Sequence, residues 1–258
     1  MRFDILGCPG IDPLLHILGR KRKSFGKRIV YLSGGVLVGE QAIPFKYAMY
    51  DLAKTYERLC IRAGVEIRRR TKVTPDYVKK EQPDELVLAL GAEPWIPPIP
   101  GIQRKQVIHV TEYYRHTDEI KQEIAVLGGG LAGCEIALHL GQTGHLVHLI
   151  EMKEELCTDA NAKFRPVLLE YMDGCVQVHT GCRVIRILED CVLCEDQKGE
   201  KVVVPAKSVI CALGQKPRRR ECEELRRIAP CIRIIGDAER VSSIMHAMYQ
   251  GYHAGLDL

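Results

Sequence analysis

The stretch from Ile124 to Leu138 constrains this chain more than any other. Ile124-Ala125-Val126-Leu127 is an apolar run of strand length, Gly128-Gly129-Gly130 is a turn, and a helical pattern begins at Leu131. The glycines fall as G-x-G-x-x-G at Gly128, Gly130 and Gly133. A second apolar run, Leu146 to Ile150, follows and ends on Glu151. Strand, glycine turn, helix, strand and terminal acid together make the dinucleotide-binding fingerprint in its proper context. The first glycine permits the tight turn, the second lets backbone approach a pyrophosphate, and the third lets helix and strand pack closely. The helix N-terminus then offers unpaired N–H groups and partial positive charge to the phosphates. Glu151 follows Gly133 by 18 residues, near the ~20 expected of the ribose-binding acid. A carboxylate there accepts from ribose hydroxyls and repels a 2′-phosphate, which favours NAD(H); Lys153 nearby softens that preference. The candidate nucleotide-binding residues are therefore Gly128, Gly129, Gly130, Leu131, Ala132, Gly133 and Glu151. Taken alone, the glycine spacing is common, and the lesser reading of Glu151 is a solvated strand-end acid.

A chain of 258 residues is long enough for a sizeable core and one or two domains. No apolar run reaches the ~18–20 residues of a membrane span, and the start of the chain lacks the layout of a signal peptide, so no membrane partner and a cytoplasmic location are expected. Net charge is a mild +4. The basic clusters Arg20–Lys23, Arg68–Arg70 and Arg218–Arg220 are short, separate and without interleaved aromatics. They read as solvated faces, and no nucleic-acid partner is expected. The 11 cysteines are irregularly spaced and read as reduced core residues. The C-x-x-C at Cys191 and Cys194 lies in a strand-like run instead of at a helix N-terminus, which argues against a redox pair. No second C-x-x-C completes a zinc site, and no metal site is expected.

The chain in order gives alternating strands and helices. Phe3–Leu6 and Arg28–Leu32 read as strands on either side of a turn at Gly7-Cys8-Pro9-Gly10 and a short helix near Leu14–Leu18. That order resembles a first dinucleotide-binding unit, but its glycines are spaced G-x-x-G and no acid ends its second strand, so as a phosphate cradle it is degraded. Gly34-Gly35 opens a loop running to Pro44. Tyr47–Ala63 has helical apolar spacing, stopped by Gly64. Val65–Ile67 is a short strand, a polar helix follows to Glu81, and Asp84–Leu90 is a buried parallel strand ending at Gly91. Pro94–Gly101 carries four prolines in eight residues, which excludes regular helix or central strand and reads as an inter-domain connection. Beyond the fingerprint come a polar loop to Asn161, a helix over 162–172, strands over 176–179 and 182–188, and a hairpin turning at Lys198-Gly199. A buried strand over 209–213 ends at Gly214, another over 232–235 runs into Gly236-Asp237-Ala238, and a helix over 244–256 follows.

An internal repeat supports duplication. Ala89-Leu90-Gly91-Ala92-Glu93-Pro94 and Ala212-Leu213-Gly214-Gln215-Lys216-Pro217 share apolar strand and A-L-G-x-x-P. The period is far too long for a solenoid and fits two nucleotide-binding units of related design.

With these residues in view, the chain resembles the two-dinucleotide-binding-domain pyridine-nucleotide flavoproteins. More narrowly, it is similar to the C-terminal half of the NADH:flavin oxidoreductases related to 2,4-dienoyl-CoA reductase, enoate reductase and trimethylamine dehydrogenase. The matching segments are Gly34-Gly35 with Ile43–Lys46, Gly64–Ile67, Ala89–Pro94, Pro97–Gly101, the Gly128 fingerprint, Glu151-Met152, Gly236–Ala238 and Gln250–Gly255. The resemblance implies an α/β fold of two Rossmann-like dinucleotide-binding domains, an NAD domain over 104–216 inserted into a discontinuous FAD domain over 1–103 and 217–258. It implies that the Gly128 unit and Glu151 hold NAD(H), with Gly214 beside that site. It implies that Asp237, between Gly236 and Ala238, accepts from FAD ribityl hydroxyls, and that Gly34, Gly35 and Gly91 let backbone approach FAD. Taken alone, Asp237 would read as a turn or N-cap aspartate.

The reaction so implied passes hydride from NADH to flavin and electrons onward, with the cofactors doing the chemistry; no protein acid, base or nucleophile is required. Members of this type carry a barrel with FMN and an iron–sulfur cluster, which would need about 250 residues of its own. A separate barrel subunit reducing an enoate or enoyl-CoA is thus an implied partner, alongside a small-molecule electron acceptor. The other reading is a non-catalytic NAD-binding or interaction module that has lost FAD, favoured by the degraded first glycine turn.

Overall fold

The computed structural model describes residues 3–7, 28–31, 36–69 and 71–257. It divides into two compact units, the first formed by Met1–Glu93 with Gln215–Leu258 and the second by Pro94–Gly214. These divisions fall about ten residues before the 103/104 boundary drawn from sequence and two before the 216/217 boundary. The turn after Gly7, the helix near Leu14–Leu18 and Gly34-Gly35 lie outside the described residues.

The first unit opens with β1 (Phe3–Gly7) and β2 (Arg28–Tyr31), then α1 (Val36–Gly39), α2 (Tyr47–Arg62), β3 (Glu66–Ile67), α3 (Pro75–Glu81), β4 (Glu85–Ala89) and β5 (Ala92–Pro94). The second carries β6 (Val107–His109), β7 (Glu123–Leu127), α4 (Leu131–Gln142), β8 (Leu146–Ile150), α5 (Phe164–Met172), β9 (Val176–His179), β10 (Arg183–Ile187), β11 (Cys191–Glu195), β12 (Lys201–Pro205) and β13 (Ser208–Cys211). The chain returns to the first unit with β14 (Gln215–Pro217), α6 (Arg219–Leu225), β15 (Cys231–Ile234) and α7 (Ile244–Asp257).

The first unit's sheet has the order β15-β4-β1-β2-β3, all neighbours parallel. β4 is buried along its whole length, and the alternation of its side chains divides the core in two. Val87 and Ala89 pack with Tyr56 and Cys60 of α2 and Ala254 of α7. Leu86, Leu88 and Leu90 pack with Val78 of α3 and Cys222 and Leu225 of α6. A parallel sheet covered by helices on both faces is the arrangement that a continuous apolar strand such as β4 requires.

The second unit's sheet has the order β6-β13-β7-β8-β9, again all parallel. Ala125 and Leu127 of β7 face a core shared with Val192 and Cys194 of β11 and Val204 of β12. Those residues belong to the antiparallel sheet β10-β11-β12, whose β11–β12 turn was legible at Lys198-Gly199. Ile124 and Val126, fully buried, point to the other face, where α4 packs on β7 and β8. The expected α/β class with parallel Rossmann-type sheets is what the chain adopts.

One expectation is corrected and two are extended. The stretch read as a loop to Pro44 folds, from Val36, as α1 followed by 3-10 turns at Glu40–Ala42 and Pro44–Lys46. Leu37 and Ile43 anchor it by burial, two residues too few to show as a period. The cluster at Arg218–Arg220 leads into α6, unforeseen, with Arg218 as its N-cap; Arg218 pairs with Glu221 at 3.2 Å and Arg220 with Glu224 at 3.3 Å. The proline-rich segment is more than a connection. Ile99 and Ile102 pack on the second unit's core, and the Pro100 carbonyl accepts from Ile187 N at 2.8 Å.

Candidate dinucleotide-binding site

The turn after β7 shows why glycine stands where it does. Gly128 has φ +101°, and a Cβ there would lie 2.5 Å from the Ala212 carbonyl oxygen. A Cβ on Gly133 would lie 1.8 Å from the Gly128 carbonyl oxygen, so α4 reaches β7 only without that carbon. Gly129 is covered by Leu156, whose Cδ2 would be 2.4 Å from an added Cβ. Gly130 differs: an added Cβ would meet no backbone, only the Asp159 carboxylate, with Oδ2 at 3.5 Å and Oδ1 at 3.7 Å. Gly130 is the N-cap of α4 and supplies no side-chain cap of its own. Ala132 in that first turn is exposed and Leu131 half-buried. This cradle fits a pyrophosphate, because it combines a glycine-lined approach with a helix start whose N-cap residue has no side chain.

Glu151, directly after β8, is buried at 8% exposure. Its Oε2 accepts from Gly129 N at 2.6 Å and its Oε1 from Lys153 N at 2.8 Å. The acid expected to meet a ribose thus also ties the glycine turn to the end of the next strand. Each carboxylate oxygen keeps a further lone pair, so the two tasks are compatible.

The segment following Glu151, read from sequence only as a polar loop, folds back over the turn. Cys157 N donates to the Gly129 carbonyl at 2.8 Å. Asp159 Oδ1 accepts from Leu131 N at 2.9 Å. Cys157 is fully buried with φ +51°. The Cys134 thiol donates to the Gly129 carbonyl at 3.3 Å; interaction between the two thiols, together with burial, pushes Cys134 up and lowers Cys157 against its own burial. Asp159 escaped sequence reasoning because nothing local in Thr158-Asp159-Ala160-Asn161 says that this loop meets a helix 28 residues earlier. Glu135, buried on α4, escaped it too, since the position reads simply as a helix residue. Gly214, just past β13, has φ +105° with nothing within 4 Å of an added Cβ. β13 is the strand beside β7, on the side away from β8.

In the first unit, Gly91 and Asp237 follow the adjacent strands β4 and β15, whose last pair is Leu88 with Ile234. Gly91 has φ +71° with no atom within 4 Å of an added Cβ, an open approach of the kind a ligand uses. Gly236 has φ +64° and donates its N–H to Gln250 Oε1 at 2.6 Å. Asp237 is half-buried, and its Oδ1 accepts from Ser242 N at 3.0 Å. Burial pushes its carboxyl upward, against the Ser242 hydrogen bond and the nearby His246. Ala238 points into the core and offers a ligand only backbone. A half-buried acid beside an open glycine at the carboxyl edge of a parallel sheet fits a polyol such as a ribityl chain.

Among the described residues there is no group of three or more potential metal ligands. Cys191 and Cys194 sit three apart on β11, which puts them on opposite faces of the strand, Cys194 buried and Cys191 half-buried. No helix among the described residues is long and apolar enough to cross a membrane.

Residues 20–229 match the pyridine nucleotide-disulphide oxidoreductase family. The chain is similar to a bilirubin reductase of Mediterraneibacter gnavus, 32% identical over 192 residues, 74% of this chain and 30% of that protein. It is similar to a cinnamate reductase of Clostridium sporogenes, 28% identical over 236 residues, 88% of this chain and 34% of that protein. A similarity of 28% over 225 residues joins it to an NADH oxidase of Thermoanaerobacter brockii, covering 85% of this chain and 35% of that one. The chain thus spans about a third of these relatives' length. Among solved structures, a 2-naphthoyl-CoA reductase complex superposes over 99% of this chain and 39% of its own, with a TM-score of 0.87 at 22% identity. Histamine dehydrogenase from Rhizobium does so over 100% and 41%, with a TM-score of 0.82 at 14% identity. Both carry the same fold within longer chains.

Proposed function

The chain belongs to the pyridine nucleotide-disulphide oxidoreductase family, and from that premise we propose that it is the NADH-oxidising, FAD-holding part of a flavin oxidoreductase. The observation that carries this reading is the glycine turn at the start of α4, where the atoms nearest a Cβ on Gly130 belong to one exposed side chain, Asp159, in a chain whose other unit ends its own parallel sheet at Gly91 and Asp237. The second unit would hold NADH, with Gly128, Gly129, Gly130, Leu131, Ala132 and Gly133 around the pyrophosphate, Glu151 at the adenosine ribose and Gly214 on the nicotinamide side. The first unit would hold FAD, with Asp237 accepting from ribityl hydroxyls, backbone of Gly91, Gly236 and Ala238 lining the approach, and Gly34 and Gly35 near the pyrophosphate. When both are bound, NADH supplies a hydride and FAD receives it. The protein's contribution is orientation: two parallel sheets present their carboxyl edges, and Glu151 holds the glycine turn in shape.

The onward path lies outside this chain in our reading. A barrel with its own flavin and iron–sulfur cluster, as a separate subunit or a further segment, would take the electrons and reduce an enoate or enoyl-CoA. The cinnamate reductase relative and the length of all three relatives support this. The decisive experiment is the absorption spectrum of the purified protein before and after FAD is added. A flavin band that NADH bleaches anaerobically, and NADPH bleaches more slowly, is expected. A colourless protein that retains no FAD would instead leave a nucleotide-binding module without flavin, the reading that the G-x-x-G spacing of Gly7 and Gly10 favours.

A further inference from the structure

We propose that Asp159 is a built-in competitor for the dinucleotide, a carboxylate that occupies the pyrophosphate position until NADH displaces it; this rests on the NADH reading of the second unit. The second glycine of the fingerprint exists so that a phosphate can approach the backbone. Here the atoms that a Cβ on Gly130 would touch first are Asp159 Oδ2 and Oδ1, at 3.5 and 3.7 Å, so the carboxylate lies against the face of Gly130 that the phosphate would approach. The same carboxylate takes the N–H of Leu131 at 2.9 Å, a donor that the fingerprint otherwise presents to phosphate. An anion at a helix start interacts favourably with the partial positive charge there, so Asp159 stabilises the empty site as a cap that Gly130 does not provide.

Two anions at one helix turn repel each other and compete for the Leu131 N–H, so in this proposal nucleotide binding displaces Asp159 from Leu131. The surrounding loop allows this without coming apart. It is fastened elsewhere, by Cys157 N on the Gly129 carbonyl at 2.8 Å and by Arg165 Nε on the Leu156 carbonyl at 2.8 Å. Leu156 and Cys157 are buried, whereas Asp159 is exposed and swings outward by rotation of its own side chain. The apparent affinity for NADH is then lowered by the fraction of molecules in which the carboxylate is in place.

A cap that acts only in structure and a competitor predict opposite signs. The full chain and its Asp159→Asn and Asp159→Ala variants would be titrated with NADH and with ADP by calorimetry, and the thermal midpoints of the nucleotide-free proteins recorded. If Asp159 competes, both variants bind NADH and ADP more tightly, by about three- to twentyfold, while Asp159→Ala without nucleotide unfolds at a lower temperature than the parent. Binding that is unchanged or weaker in both variants, with the parent binding NADH, overturns the competitor and leaves the NADH site standing. Failure of all three proteins to bind either nucleotide overturns both.

Discussion

At the residue scale, two carboxylates at sheet edges differ in how many backbone N–H groups they accept from. Glu151 is buried but accepts two backbone N–H bonds, so its burial is offset by charge-assisted hydrogen bonds. Asp237 accepts one, and burial prevails, pushing its carboxyl up. A raised native value has a defined sign. Between the unfolded carboxyl value, near 3.9, and the higher native one, the native state holds a proton that the unfolded state has lost. Stability therefore falls as pH rises through that window and is flat above it. Asp237→Asn removes the penalty and keeps an oxygen for Ser242 N. Without flavin, the variant is expected to lose this decline and, at neutral pH, to unfold at or above the parent's midpoint while holding FAD less well. Thermal midpoints from pH 4 to 8, with FAD retention by absorbance, test it. Parallel profiles for parent and variant would show that Asp237 is not the strained acid. An acid retained at a cost to stability is what a ligand-binding role explains.

At the element scale, β7, α4 and β8 were legible because three signals agree over a short span: apolar period, glycine spacing and terminal acid. What the sequence could not supply was contact between distant segments. Asp159 reaches α4 across 28 positions, and α1 is held by two buried side chains without a repeating pattern. α6 was missed for another reason. Its Cys222 and Leu225 form one buried pair three apart, too brief to stand out behind a run of arginines. The legible part makes a graded prediction about glycine. Gly133→Ala sets a Cβ 1.8 Å from a backbone oxygen, and neither helix nor strand yields readily, so α4 must be pushed off β7. Gly144, after α4, has φ +88° and nothing within 4 Å, so Gly144→Ala incurs backbone strain of about 1–2 kcal/mol. Chemical denaturation is expected to rank Gly133→Ala as the more damaging by a clear margin, with loss of NADH binding; equal effects would mean that α4 and β7 pack less tightly than the 1.8 Å approach requires.

At the scale of the whole molecule, the two units differ in how the chain builds them. The second is one continuous segment, Pro94–Gly214, with a parallel sheet, its helices and an antiparallel sheet closing one core. The first is assembled from two segments, and its sheet needs β15 from the far side of the insertion paired to β4. The proline-rich start of the second unit packs on it, through Ile99 and the Pro100 carbonyl, which makes a cut before Pro94 the one to test against a cut at residue 104. Residues 94–214 expressed alone are expected to unfold cooperatively and to bind NADH within about threefold of the full chain, since every residue assigned to that nucleotide, and the competing Asp159, lies inside the segment. A fragment beginning at residue 104 is expected to be clearly less stable, because it loses the Pro100–Ile187 bond and the burial of Ile99 and Ile102. The segment 1–93 alone should not fold, as β4 would lose β15 and the cover of α6 and α7. Circular dichroism melts and NADH titration of the three fragments decide the matter. If the 94–214 fragment is unfolded while the full chain binds NADH, the second unit depends on the first for its stability and is not the self-sufficient nucleotide module that its closed core implies.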